Sequence, residues 1–203
     1  MKEHVKRLAR VPELSRPFFK ANLWDVVGLA FMWGVINPFA AVVLRRIGAS
    51  PELLGLFSAA PFVGFLFTVV ATRLAFRYRW GRLIGVFRMA ARLTLLVLAF
   101  TGSPAVFVAV FTVMHIFNSC AMSVYGAALK AHARPGIRTI FLKWTRVLMM
   151  LGSVPIAWAC GKYFEADPDG YRVLIPLTGL VAASFAAGYL RLPRRSGESR
   201  ALG

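Results

Sequence analysis

Residues 93–129 read LTLLVLAFTGSPAVFVAVFTVMHIFNSCAMSVYGAAL, a stretch that contains no Asp, Glu, Lys or Arg. A transmembrane helix needs about 20 apolar residues, so this stretch is long enough for most of two spans and a turn between them. The Thr-Gly-Ser-Pro sequence at 101–104 supplies the turn, because glycine permits a tight reversal and proline suits the first turn of a helix. We therefore predict a span at 83–101 and another at 104–129.

Further apolar runs lie on both sides of this pair. Of the 203 residues, 58% are hydrophobic and only 16% are charged, and the mean hydropathy is +0.64. This composition is too apolar for an ordinary soluble domain of this size. The sequence predicts an all-α membrane protein, a bundle of six transmembrane helices, with spans at about 22–44, 53–72, 83–101, 104–129, 138–161 and 172–191. Six spans use about 120 residues, whereas twelve would not fit.

The 25 Lys and Arg residues are divided unevenly between the two sides of the predicted bundle. Most lie in the tails, at 1–21 and 192–203, or in the connections after spans two and four. The opposite side carries Arg45, Arg46, Lys162 and Arg172, beside Glu52, Glu165, Asp167 and Asp169. By the positive-inside rule, both tails are cytoplasmic and the bundle, residues 22–191, lies in the inner membrane.

Two kinds of anionic binding partner could explain this excess of basic residues. A nucleic acid is disfavoured, because the charges alternate with membrane spans and do not form one stripe on a folded surface. Anionic lipid headgroups are the expected partner instead.

Several short motifs, taken together, resemble those of one family. The connection after span two reads LAFRYRWGR at 74–82, and is similar to the signature between helices two and three of major facilitator superfamily (MFS) transporters. Further similarity lies in RPGIR at 134–138 and in Gly152, Pro155 and Gly161 of span five, which we predict to be helix-packing positions. The chain resembles, over most of residues 20–195, the N-terminal six-helix half of such a transporter.

The resemblance implies roles for some residues and raises a question about a partner. It implies that Arg77, Gly81 and Arg82 belong to a loop that governs switching between inward and outward states. Phe76 stands where the family has an acidic residue of that switching network. The family pairs two six-helix halves, each built from two inverted three-helix repeats. The resemblance covers one half, so the chain is expected to pair with another chain or copy, to be a fragment, or to serve as a structural subunit.

Two arginines within span three are the first candidates for a polar site, because charges inside a span are costly. Arg88 and Arg92 are four residues apart and so share one helix face. Together they could bind a carboxylate or phosphate, or pair with an acidic group on a partner. The alternative is that Arg88 snorkels towards the cytoplasm and Arg92 packs against backbone. Arg146 of span five is expected to snorkel as well.

Other polar residues fall inside spans one and four. His115 and Asn118 share a face of span four and could hydrogen-bond a substrate, carry a proton or ligate a porphyrin metal, or simply join helices. Asn37 precedes Pro38, which either opens the backbone towards a cavity or only kinks the helix. Asp25 is placed at a cytoplasmic helix end, so we expect the chain to lack a buried carboxylate, which disfavours proton coupling.

Two functional hypotheses follow from these features. No nucleophile, metal-ligand cluster or phosphate-binding loop is evident, so we expect neither enzymatic activity nor a cofactor or metal. The first hypothesis is a half-size MFS-like protein that moves an anionic or amphipathic organic solute as a dimer. The second is a non-transporting accessory subunit of a larger respiratory or photosynthetic membrane complex.

Overall fold

Helices make up almost all of the computed structural model, which describes residues 16–167 and 169–192, and this part of the chain contains no β-strand. The elements are α1 (Arg16–Arg46), α2 (Pro51–Leu66), α3 (Thr68–Arg77), α4 (Trp80–Leu93) with a 3₁₀ continuation (Thr94–Ala99), α5 (Pro104–His132), α6 (Pro135–Ala166), and α7 (Tyr171–Ala186) with a 3₁₀ continuation (Ala187–Arg191). The predicted tails lie outside the described residues except for 16–21 and Leu192.

Five segments of the described chain are long and apolar enough to cross a membrane. They are Arg16–Arg46, Pro51–Ala75, Pro104–His132, Pro135–Ala166 and Tyr171–Arg191. The remaining segment, α4 with its 3₁₀ continuation, is less apolar because it carries Arg82, Arg88 and Arg92. The described part of the chain is therefore all-helical, with five to six helices that suit a multi-pass membrane protein.

Local sequence explains where several helices begin. Pro51, Pro104 and Pro135 each occupy the start of a helix, where the missing N–H of proline costs nothing and its fixed φ suits the first turn. The Leu53 N–H also donates to Ser50 Oγ at 3.4 Å, which caps α2. These signals stop α1, α4 and α5 from running into the helices that follow them.

The helices differ from the predicted spans in three places. α1 begins at Arg16, within the predicted tail, because Pro17 falls in its first turn and is tolerated there. The second span is divided at Phe67 into α2 and α3. The third span changes from α-helix to 3₁₀-helix at Thr94, which tightens its last turns.

Helix packing repeats between the first and second halves of the chain. α1 packs on α6 and α7, while α5 packs on α2 and α4, and α4 meets α7. If α1, α2 and α4 are exchanged for α5, α6 and α7 in that order, the same pairs of helices are in contact. Since consecutive spans alternate in direction, the matching helices run in opposite directions, as in an inverted repeat.

Glycines allow the closest helix contacts. A Cβ added at Gly64 of α2 would lie 2.6 Å from the backbone oxygen of His115 in α5, and one at Gly34 of α1 would lie 2.8 Å from that of Ser153 in α6. A Cβ added at Gly152 would lie 3.0 Å from the Ala30 methyl group, whereas one at Gly161 would lie 3.6 Å from Phe39 Cζ, an ordinary contact distance. Pro155 is exposed within α6, so it does not form a buried packing contact.

The start of α1, the α3–α4 and α5–α6 connections and the end of the last helix meet at one end of the bundle. The Phe18 ring stacks on that of His132 at 4.5 Å, and Arg79 Nη2 donates to the Leu192 oxygen at 2.7 Å. The charged residues described at this end are all basic: Arg16, Lys20, Arg73, Arg77, Arg79, Arg82, Lys130, Arg134, Arg138 and Arg191. We call this the basic end. At the opposite end, four basic and four acidic residues balance, namely Arg45, Arg46, Lys162, Arg172, Glu52, Glu165, Asp167 and Asp169.

Candidate functional site

A buried group of three charged side chains joins α1, α4 and α7. The carboxylate of Asp25 is 0% exposed and pairs with both Arg88 and Arg92, with Arg92 Nη2 lying 2.7 Å from Asp25 Oδ1. Arg92 Nη1 also donates to the Ala182 oxygen of α7 at 2.5 Å. We call Asp25, Arg88 and Arg92 the charge cluster. It carries one more positive than negative charge.

The local helix geometry explains this arrangement. Arg88 and Arg92 are one turn apart on α4, so they project from one face. Small residues on α7 let α4 approach closely, since a Cβ at Gly179 would lie 2.5 Å from the Arg92 oxygen. Asp25 is roughly 14 Å along the helix axis from Arg16, at a rise of about 1.5 Å per residue. The uncharged run of α1 extends from Val26 to Leu44, so Asp25 lies at the edge of that run nearest the basic end.

Two tyrosines and an asparagine extend the charge cluster. The guanidinium of Arg88 lies 5.1 Å from the ring centre of Tyr125 and 5.2 Å from that of Tyr189, within the range of cation–π attraction. The Tyr189 hydroxyl donates to Asn22 Oδ1 at 2.9 Å. Asn22 is only 3% exposed, and its Nδ2 has no hydrogen-bond partner among the described residues. A buried amide donor without a partner is costly.

A groove of about 320 Å³ leads to Arg88 between α1, α5 and α6. It lies where α1 and α6 make few direct contacts with α5. The Arg146 guanidinium lies 5.9 Å from the ring centre of Trp33 in its wall. The residues around the groove are Asn22, Val26, Leu29, Trp33, Arg88, Asn118, Met122, Tyr125, Leu142, Thr145, Arg146 and Met149.

The residues predicted for the polar site are distributed over three places. Arg88 and Arg92 are in the charge cluster, and Arg88 and Asn118 line the groove. His115 is half-buried one turn from Asn118 on α5, and Asn37 is exposed one turn beyond Trp33 on α1.

The residues predicted for the switching loop lie elsewhere, at the basic end. Gly81 is buried there, where a Cβ would lie 2.8 Å from Leu192 Cβ. Arg77 and Arg82 are exposed at the same end. The backbone of Phe76 belongs to α3.

The expectation that the chain lacks a buried carboxylate is wrong. Because α1 begins at Arg16, Asp25 lies in its third turn and faces α4, instead of lying at a helix entrance. Arg146, expected to snorkel, packs over Trp33 and lines the groove. Sequence reasoning also missed Asn22. The signal for it was the pair Asn22 and Asp25, three residues apart on one face of an otherwise apolar span.

The described residues contain no group of three or more His, Cys, Asp or Glu side chains that could hold a metal ion. Compared with family models, curated proteins and solved structures, the chain matches none of them significantly. What the site can do chemically therefore rests on its own geometry. Cations and amide donors belong to the lining of a mostly apolar groove, which is an environment suited to an anion.

Proposed function

We propose that the chain is one six-helix unit of an MFS-like transporter of the inner membrane, which pairs with a second unit to move an anionic or amphipathic organic solute. The second unit is most simply another copy of the chain. Substrate would bind between the two units, and alternating access would come from one unit rocking against the other.

The open groove is the observation that carries this proposal. Asn118 and Arg146 are exposed beside it, and both lie inside apolar helices. Polar and charged side chains facing hydrocarbon are costly, so such a face is normally covered by protein or lines a water-filled cavity. A second unit placed over the groove would cover this face with protein and would enclose a water-filled cavity between the two units.

The repeated packing pattern supports the same proposal. α1 with α6 and α7 corresponds to α5 with α2 and α4 in the reversed direction. Inverted three-helix repeats place the polar site where the repeats meet, and the groove lies between α1 and α5, the first helix of each repeat.

The charges support one orientation of this unit. All of the basic connections described lie at the basic end, together with Arg16 and Leu192 at the two ends of the described chain. The positive-inside rule places that end in the cytoplasm. There it would meet anionic lipid headgroups, each nearby Lys or Arg contributing about 1 kcal/mol to the attraction.

Cross-linking in lipid nanodiscs tests the pairing. Cys120 and Cys160 are buried and free and would first be replaced by alanine. Asn118→Cys then places one thiol beside the groove, and Val86→Cys places a matched thiol on the exposed side of α4. With bis-maleimides of graded length we expect a dimer from Asn118→Cys and little from Val86→Cys. Equal yields from the two variants, or a monomer from both, would contradict pairing across the groove.

A non-transporting accessory subunit is the competing proposal. It is favoured by Phe76, which replaces the acidic residue that the family uses in switching, and by the pairing of Asp25 with two arginines of the same chain. Such a subunit should purify in mild detergent at fixed stoichiometry with a larger complex. A particle that contains only this chain would count against it.

A further inference from the structure

We propose that the groove binds a small organic anion that carries a carboxylate on a flat apolar body. The carboxylate lies between Asn22 Nδ2 and the Arg88 guanidinium, and the body lies against Trp33. The biological role of this site, as the solute site, rests on the proposed function, whereas binding itself does not.

Asn22 is the observation that points to a ligand. Its Oδ1 already accepts the Tyr189 hydroxyl at 2.9 Å, while its Nδ2 has no partner among the described residues although the side chain is 3% exposed and borders the groove. A buried donor in this position is satisfied by an acceptor that enters the groove. A charged acceptor makes the stronger bond.

The charges around the groove select an anion. Arg88 and Arg146 border it, and no carboxylate among the described residues does. Asp25 compensates only one of the two arginines it pairs with, so the charge cluster keeps a net positive charge. The Thr145 hydroxyl also borders the groove, but it already donates its hydrogen to the Leu142 oxygen at 2.9 Å and so does not donate to a ligand. Positive potential in a low-dielectric cleft concentrates anions.

The size and lining of the groove indicate the shape of the ligand's apolar body. Its volume of about 320 Å³ is at the small end of the range of about 300–1,000 Å³ that organic ligands occupy. Trp33 offers a flat face, and the Met122 and Met149 side chains adapt their shape to a neighbour. A single aromatic ring fits this volume better than a long acyl chain does.

Fluorescence quenching with a brominated probe tests the site on the whole chain in phosphatidylcholine nanodiscs. Bromine quenches indole on contact, so 4-bromobenzoate bound in the groove should quench Trp33 saturably, and the same titration with Trp33→Phe isolates that signal. The neutral 4-bromobenzamide and the cationic 4-bromobenzylamine are matched probes without the negative charge. We expect 4-bromobenzoate to bind at least tenfold more tightly than either.

Matched variants assign the contacts. Asn22→Leu should weaken 4-bromobenzoate binding about tenfold, the usual loss for a hydrogen bond to a charged group. Thr178→Val, another buried polar residue made apolar, should leave binding unchanged. Arg146→Gln should weaken binding several-fold, whereas Lys143→Gln, the same charge change one turn away and outside the groove lining, should not. If Asn22→Leu fails to fold, the Arg146 and Lys143 pair still decides the matter.

The outcomes separate this inference from the proposed function. Equal quenching by the charged and neutral probes, or equal losses in Arg146→Gln and Lys143→Gln, would overturn the anion site while leaving cross-linking through Asn118→Cys intact. Saturable binding in a protein that does not dimerise would uphold the site and overturn the paired transporter. Displacement of 4-bromobenzoate by phosphatidylglycerol in the nanodisc would assign the same anionic chemistry to a lipid phosphate, and no displacement would assign it to a free solute.

Discussion

Asp25 and its two arginines show how much depends on a single carboxylate in this bundle. The Asp25 side chain is fully buried, and Arg88 and Arg92 are 3% and 2% exposed. Two buried guanidinium groups without a counterion would repel each other and remain unsolvated. The carboxylate therefore determines whether α1, α4 and α7 can pack together.

Replacing Asp25 by Asn should destabilise the protein strongly. Removing one partner from a buried ion pair typically costs about 3–5 kcal/mol, because the remaining charge is left uncompensated. Thermal unfolding in detergent, followed by circular dichroism, measures the change. Glu165→Gln is the control, since it removes only the exposed pair with Lys162, 3.2 Å apart, and should change the Tm little. An Asp25→Asn protein as stable as Glu165→Gln would show that the charge cluster does not hold the helices.

At the scale of elements, the contact between α4 and α7 depends on Gly179. A Cβ at Gly179 would lie 2.5 Å from the Arg92 oxygen and 3.1 Å from Leu95 Cβ. Neither a backbone oxygen nor the start of a 3₁₀ segment can move away easily, so the contact depends on the absent side chain.

Gly179→Ala should therefore lower the free energy of unfolding by about 1–3 kcal/mol, the usual cost of overpacking. Gly126→Ala in α5 is the matched control. A Cβ there meets nothing within 4 Å in the described part of the chain, and alanine favours helix over glycine. Unfolding in a mixed-micelle denaturant titration compares the two. A Gly179→Ala protein that is as stable as Gly126→Ala would contradict the close contact between α4 and α7.

At the scale of helices, apolar runs and helix-starting prolines were enough to predict most elements. The break at Phe67 and the 3₁₀ turns after Leu93 were not predicted, because neither place contains a proline or glycine that marks a change of helix geometry. For the site, the spacing of Arg88 and Arg92 predicted a shared face. Their partner Asp25 was missed, because its role depends on where α1 begins and on which helix faces it.

The whole molecule is asymmetric in charge along the bundle axis. At the basic end the described residues carry ten cations and no carboxylate, while the opposite end is balanced. An electric asymmetry of this kind orients a multi-pass protein during insertion.

Labelling of single cysteines with a membrane-impermeant maleimide in intact cells most directly tests whether the helices cross the bilayer with every basic connection on one side. In a background without Cys120 and Cys160, we expect Phe100→Cys and Lys162→Cys to be labelled from outside. Tyr78→Cys and Arg134→Cys, at the basic end, should be labelled only after permeabilisation. Labelling of Tyr78→Cys and Arg134→Cys from opposite sides would contradict the membrane topology on which the proposed transporter rests.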